Sequence, residues 1–185
     1  MTTLVAVLAG GRGRRMGGPK ALAPFAGAPL IARPLAAAAA AGLEAVVVAK
    51  PDTPLPALDV PVWHEPAEPV HPLLGVATAL ERGGRPVLAV ACDMPFVTAG
   101  LLSRLAAGPE AAVRVGGRIA PFPARYEPEQ LEAIRTAVER GDGVGATLVA
   151  LDAAVLEHPE VFGDPAQLVA SVNTPAELAA AERSA

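Results

Sequence analysis

An apolar run that breaks directly into a cationic, glycine-rich loop constrains this chain more than any other feature. Thr3 to Ala9 carries no charge, and Gly10-Gly11-Arg12-Gly13-Arg14-Arg15-Met16-Gly17-Gly18-Pro19-Lys20 follows it. The segment closes on one of only two lysines in the chain. A run that is apolar throughout suits a strand covered on both faces, as in a parallel sheet. A backbone without Cβ atoms at the end of such a strand, flanked by cations, suits a polyphosphate. The spacing is neither Gly-x-x-x-x-Gly-Lys-Ser/Thr nor Gly-x-Gly-x-x-Gly, so the loop follows neither the Walker nor the dinucleotide-binding pattern.

The rest of the chain agrees with a sheet of that kind. Further apolar runs at 43–49, 60–63 and 86–91 predict buried strands, and 73–82 predicts a helix that stops at Gly83-Gly84. Pro29 suits the first position of a helix running through the alanines to Ala41 and ending at Gly42, with Pro34 either kinking it or starting its regular part. Thr98 is placed to cap a helix reaching Ala107. This alternation predicts a Rossmann-like, three-layer α/β/α fold with a mostly parallel sheet and right-handed crossovers. Beyond Gly108 the rhythm changes. Residues 111–115, Gly116-Gly117 and 118–126 predict an antiparallel hairpin, 128–140 an amphipathic helix, 146–151 a short helix, 153–156 a short strand, and 175–183 a last helix. No linker separates two cores. The expected organisation is a single domain over 1–185, with a nucleotide-binding half at about 1–107 and an acceptor-binding half at about 108–185.

Composition narrows the partners. A net charge of −4 argues against a general nucleic-acid binder, yet four of the fifteen basic residues fall between Arg12 and Lys20. Localised positive charge fits a small anion better than a duplex. Cys92 is the only cysteine, so neither an intrachain disulfide nor a thiolate metal cluster can form, and a reducing compartment is the simplest expectation. Arg33 and Pro34 interrupt the longest apolar stretch, and the first residues lack the basic start of a signal peptide. The expectation is a soluble cytoplasmic protein without membrane contact.

In an open α/β sheet, ligands sit beyond the carboxyl ends of the strands, where the strand order reverses. Two features fall on such ends, the glycine loop and Asp93, which follows the apolar run 86–91. A carboxylate there suits Mg²⁺, which takes oxygen ligands and usually shares one or two carboxylates with substrate phosphates. The competing reading makes Asp93 a cap for the helix near Thr98. Trp63, His64, Glu65 and His71 occupy a loop after a strand end and read mainly as surface or packing residues; Asn173 reads as a turn residue before the last helix.

Taken together, these residues resemble the MobA-type molybdenum cofactor guanylyltransferases. The resemblance is carried by Leu8-Ala9-Gly10-Gly11 with Arg15-Met16-Gly17-Gly18-Pro19-Lys20, Pro72-Leu73-x-Gly75, Cys92-Asp93-Met94-Pro95-Phe96, and Val172-Asn173-Thr174-Pro175-x-Glu177-Leu178. It covers nearly the whole chain. The first motif is shared with the wider sugar-nucleotidyltransferase-like superfamily, and the later ones are more specific. The resemblance implies transfer of GMP from GTP to the phosphate of the molybdopterin cofactor, with release of pyrophosphate. It also implies Mg²⁺ as cofactor and transient contact with cofactor-delivery or acceptor proteins.

Carried over by motif, Leu8, Ala9, Gly10 and Gly11 lie along the nucleotide, Lys20 contacts the phosphates with Arg15 beside it, and Gly75 belongs to the nucleotide site. Asp93 binds magnesium, and Asn173 with Ser171 serves the acceptor. The chain departs from the family pattern at several places. Pro19 stands before Lys20 where an aspartate is common, Glu65 replaces an aspartate of the nucleotide site, Phe122-Pro123 replaces His-Pro, and Ser171 replaces an asparagine. A cytidylyltransferase or one acting on a phosphosugar or polyol phosphate, and a non-catalytic GTP-binding partner protein, are the alternatives.

Overall fold

A computed structural model describes residues 2–11 and 16–184. Strand β1 (Leu4–Leu8) has four fully buried residues and lies at the centre of the main sheet. A tight hairpin follows, β2 (Pro24–Phe25) against β3 (Ala28–Pro29), turned by Ala26 and Gly27 with φ of 47° and 81°. Two successive positive φ values match the twist of a two-residue hairpin. Pro29 therefore ends a strand instead of opening a helix. Helix α1 (Ala32–Ala40) begins three residues later, which puts Pro34 in its first turn, where backbone N–H groups have no helical partner to lose.

Strand β4 (Ala45–Ala49) pairs with β1, and β5 (Val62–His64) pairs with β4, both parallel. The segment between β4 and β5 carries Pro51, Pro54, Pro56 and Pro61 and forms no helix, so this crossover is a loop. Helix α2 (Pro72–Gly83) starts with Pro72 at its first position; the His71 side chain accepts the Leu73 N–H as cap, and Gly84 closes the helix with φ 58°. Strand β6 (Val87–Ala91) pairs with the other side of β1, and α3 (Ala99–Ala107) is capped by Thr98 as the sequence predicts.

The C-terminal hairpin differs from expectation. β7 (Ala112–Val115) turns through Gly116 and Gly117, both at positive φ, into β8 (Arg118–Ile119), but the chain then breaks before β9 (Ala124–Tyr126). β9 joins the main sheet antiparallel to β6, whereas β7 and β8 form a small sheet with β10 (Val155–Leu156). Before β10 come α4 (Leu131–Arg140), which buries Ile134 and Ala137, and α5 (Val144–Ala150), two residues earlier than the composition suggests. After it come α6 (Pro165–Leu168), which the sequence does not announce, and α7 (Pro175–Glu182), capped by Thr174.

The main sheet has the order β5-β4-β1-β6-β9. α1 and α3 pack together on one face, α2 and α4 on the other, giving the expected three layers around a core of Leu4–Val7, Val46–Ala49 and Val87–Val90. A second, smaller cluster of Phe25, Leu30 and Val172 ties the β2–β3 hairpin to the segment before α7. Among the described residues no helix is long and apolar enough to cross a membrane.

Candidate functional site

The connections from β1 run first to β4 on one side and later to β6 on the other, so the strand order reverses between β1 and β6. The crevice beyond their carboxyl ends is where an open α/β sheet places its ligand. The glycine loop leaves β1 there, and Cys92-Asp93 leaves β6; the Cys92 amide donates to the Leu8 carbonyl at 3.0 Å and holds the two exits together.

Lys20 opens a short 3-10 turn and directs its ammonium into the crevice. Nζ donates to Asp93 Oδ2 and to Asn173 Oδ1, each at 2.6 Å. Asn173 is itself fixed: Nδ2 donates to the Ser171 carbonyl at 3.2 Å and to Ser171 Oγ at 3.1 Å, while its amide donates to Glu177 Oε2 at 2.6 Å. The Val172 amide donates to the Asp93 carbonyl at 2.9 Å, which seats this segment against the end of β6. Thr98 caps α3, so the cap reading of Asp93 is set aside.

Asp93 is only 7% exposed, and its Oδ1 is buried with no hydrogen-bond partner among the described residues. A buried carboxylate oxygen left without a donor is costly, and a cation is the natural occupant of its free lone pairs. One anchored oxygen and one unpaired oxygen, beside the glycine loop, are the kind of donor that suits Mg²⁺. Cys92 adjoins it as a bystander. Burial, and then the charge of Asp93, push its thiol up to about 12, so it stays protonated.

On the other side of β1 the site is lined differently. Glu65 follows β5, and its amide donates to the Ala49 carbonyl at 3.0 Å. Its carboxylate lies between the glycine loop and α2. A Cβ at Gly10 would overlap Glu65 Oε1, and one at Gly75 would come within 2.9 Å of Oε2 and 3.0 Å of Leu8 Cδ2. A side chain at either position would therefore displace the Glu65 carboxylate. Glu65 faces Lys50, the chain's other lysine, whose Nζ is 3.5 Å from Oε1 and donates to the Pro66 carbonyl at 2.8 Å. Burial raises the Glu65 carboxyl above its ordinary value, and Lys50 opposes that rise.

Leu8, Gly10, Gly11, Lys20, Glu65 and Asp93 thus line one hollow of about 200 Å³, with Phe122 on its wall. A more polar hollow of about 540 Å³ adjoins it at Gly10, Gly11 and Lys50. Ala9 is buried behind the loop, with its amide on the Val48 carbonyl, and Gly75 backs the Glu65 carboxylate. Asn173 and Ser171 reach the site through Lys20. Arg15 lies outside the described residues. His71 does more than pack: besides capping α2, it bonds through Nε2 to the Asp142 carbonyl at 3.0 Å. With Nδ1 accepting, Nε2 carries the proton. Sequence reasoning missed Lys50. Its signal was the abrupt charge that ends the apolar run 43–49.

The fold and the crevice define a nucleotidyltransferase-type α/β protein, and a family model agrees. The MobA-like NTP transferase domain matches residues 5–154, so the chain belongs to the MobA-like NTP transferase family. The Ser171–Asn173 segment lies beyond that match. More particularly, the chain is 35% identical to a molybdenum cofactor guanylyltransferase of Rhodobacter capsulatus, with 95% of this chain and 93% of that one aligned. It is 33% identical to one of Ralstonia nicotianae, over 93% and 92%.

Among solved structures it superposes on a molybdopterin-guanine dinucleotide biosynthesis protein A of Archaeoglobus fulgidus with a TM-score of 0.76 at 24% identity, covering 98% and 97% of the two chains. It also superposes on a 2-C-methyl-D-erythritol 4-phosphate cytidylyltransferase of Thermus thermophilus with a TM-score of 0.68 at 24% identity, over 99% and 98%. At such identities the structures establish the shared fold alone.

Proposed function

We propose that this chain transfers GMP from GTP to the phosphate of the molybdenum–molybdopterin cofactor, forming the guanine dinucleotide cofactor and pyrophosphate. The curated relatives, aligned over more than nine-tenths of the chain, support the reaction. The observation that carries the assignment of its centre is the divided Asp93 carboxylate, one oxygen on Lys20 and the other buried without a partner at the end of β6.

The reaction needs little covalent chemistry from the protein. The acceptor phosphate attacks the α-phosphorus of GTP in line, its oxygen forms the new P–O bond, and the bond to the bridging oxygen breaks to release pyrophosphate. No general base is required, because a phosphate acceptor is already ionised at neutral pH. The backbone amides of Gly10 and Gly11 and the Lys20 ammonium face the phosphates, and the family pattern assigns Arg15 to the same task. Lys20 leaves Asn173 and Asp93 to neutralise charge on the departing pyrophosphate. Asp93 would hold Mg²⁺, which when bound supplies charge neutralisation and alignment of the phosphate oxygens. Leu8 and Ala9 shape the nucleotide side of the crevice, while Glu65, with Gly75 behind it, accepts hydrogen bonds from the base. Asn173 and Ser171 hold the acceptor side. In this reading the protein works in the cytoplasm and meets cofactor-delivery or acceptor proteins transiently.

A thermal-shift panel with Mg²⁺ and GTP, CTP, UTP or ATP tests the donor. GTP is expected to raise Tm well above the other three. Equal shifts with GTP and CTP would favour a different transferase.

A further inference from the structure

We propose that Lys50 is a specificity-determining residue for the donor base, acting as the hydrogen-bond donor to guanine O6 beside the Glu65 carboxylate. The inference rests on the nucleotide reading above and deepens it. It starts from the cost of the arrangement. Lys50 is 4% exposed and Glu65 6%, so two charges are kept out of water on the wall of a hollow open to ligand. Their mutual geometry is loose, at 3.5 Å from Nζ to Oε1, too long to satisfy either group fully. The ammonium has three N–H groups, of which one goes to the Pro66 carbonyl. Among the described residues the Glu65 carboxylate has no closer polar side-chain partner than that ammonium. An ion pair serving structure alone would be expected to close up. This one keeps unspent hydrogen-bonding capacity among residues that line the hollow, with Oε1 on the Lys50 side and Oε2 on the Gly75 side, so the order runs ammonium, Oε1, Oε2.

That order is a template for one base edge. Guanine presents the acceptor O6, then N1–H, then the N2 amino group; these meet Lys50, Oε1 and Oε2 in register. Adenine presents an amino group to the ammonium and a lone pair to Oε1. Cytosine is mismatched at all three places. Uracil and xanthine match the first two and set a carbonyl oxygen against Oε2. A buried reader of this kind rejects mismatches strongly, because its own charges would then be left unpaired. The missing Cβ atoms of Gly10 and Gly75 make room for the two carboxylate oxygens, Oε1 at Gly10 and Oε2 at Gly75.

The test is Mg²⁺-dependent binding of GTP, ITP, 6-thio-GTP and CTP to the full chain, wild type and Lys50→Met. ITP lacks the N2 amino group read by Glu65, and 6-thio-GTP replaces O6 with a poor acceptor. Wild type is expected to prefer GTP over each analogue by about 10-fold, the scale of one hydrogen bond to a charged group. Lys50→Met is expected to bring the GTP to 6-thio-GTP ratio close to one and leave the GTP to ITP ratio unchanged. A wild-type protein that binds 6-thio-GTP as well as GTP overturns the proposal without recourse to any variant. So does a folded Lys50→Met protein in which the 6-thio ratio persists or both ratios collapse together, since that is the behaviour of a counterion. No preference for GTP over CTP would instead overturn the guanylyl reading itself.

Discussion

Two lysine–carboxylate pairs flank β1 in this protein, and they are built to opposite ends. Lys20 and Asp93, on the β6 side, are 2.6 Å apart with side chains 19% and 10% exposed. Lys50 and Glu65, on the β4–β5 side, are 3.5 Å apart and only 5% and 6% exposed. The first pair is tight and reaches water mainly through Lys20, so that ammonium can exchange partners for a phosphate at a smaller desolvation cost. The second is loose but buried, so leaving either charge without a partner there is costly, which suits a selective contact. In the proposed reaction the first pair serves the reacting phosphates and the second the base. That reading separates chemistry from specificity across one central strand.

The largest expected effect falls on the first pair. Asp93→Ala should lower transfer by about 1,000-fold with normal folding, because it removes the carboxylate proposed to hold the metal, and Lys20→Ala by about 100-fold. Steady-state rates with saturating GTP measure both. Near-normal turnover in either would erase the contrast.

On the second pair the first consequence is structural. Gly10→Ala drives a methyl group into Glu65 Oε1 and should destabilise the fold by about 1–3 kcal/mol while weakening GTP binding. The shorter Glu65→Asp placed in the same chain should restore part of that stability. If denaturant unfolding shows no recovery, the carboxylate is not held where the structure puts it.

Asn173→Ala should have a smaller effect, a few-fold rise in KM for the acceptor with little change in KM for GTP, because Asn173 touches Lys20 in the resting site and serves the acceptor side in the proposed reaction. A rise confined to GTP would move Asn173 to the donor side.

The smallest effect is a pH dependence. Glu65 titrates above its ordinary 4.5 in the folded protein, raised by burial and lowered in part by Lys50. Above 4.5 the folded state retains this proton longer than the unfolded chain, so the associated stability falls as pH rises through the folded value. GTP affinity should rise over the same window, since only the carboxylate accepts both N1–H and the N2 amino group. Both trends should vanish in Glu65→Gln, measured by melting and by titration with GTP.

The phosphate end of the site was far more legible in the sequence than the base end. Strand runs such as 4–8 and 87–91 are apolar and short, and what leaves their carboxyl ends, the glycine loop and Asp93, can be located by counting. Local rules also placed Thr98 and Gly84 at helix ends. Lys50 could not be tied to Glu65 in that way, because their approach depends on β4 and β5 pairing in parallel across a helix-free loop. The bond from Lys20 to Asn173 spans 153 positions and exists only once the Val172 segment docks on Asp93. Pro29 misled for a local reason. Ala26 at positive φ is an unusual first residue for a hairpin turn, so the proline after it reads as a helix start. The break between β8 and β9 depends on which strand finds an edge, β9 on β6 or β8 on β7, and that is a property of the assembled sheet.

In the proposed guanylyl transfer the reacting centre is the Lys20–Asp93 side of the crevice. Its most direct test is product formation from GTP, Mg²⁺ and purified molybdopterin cofactor, with pyrophosphate and guanine dinucleotide cofactor counted together. Equal amounts of the two products are expected from the wild-type chain and essentially none from Asp93→Ala. GTP binding without pyrophosphate release, in the presence of a verified acceptor, would contradict the proposed transfer.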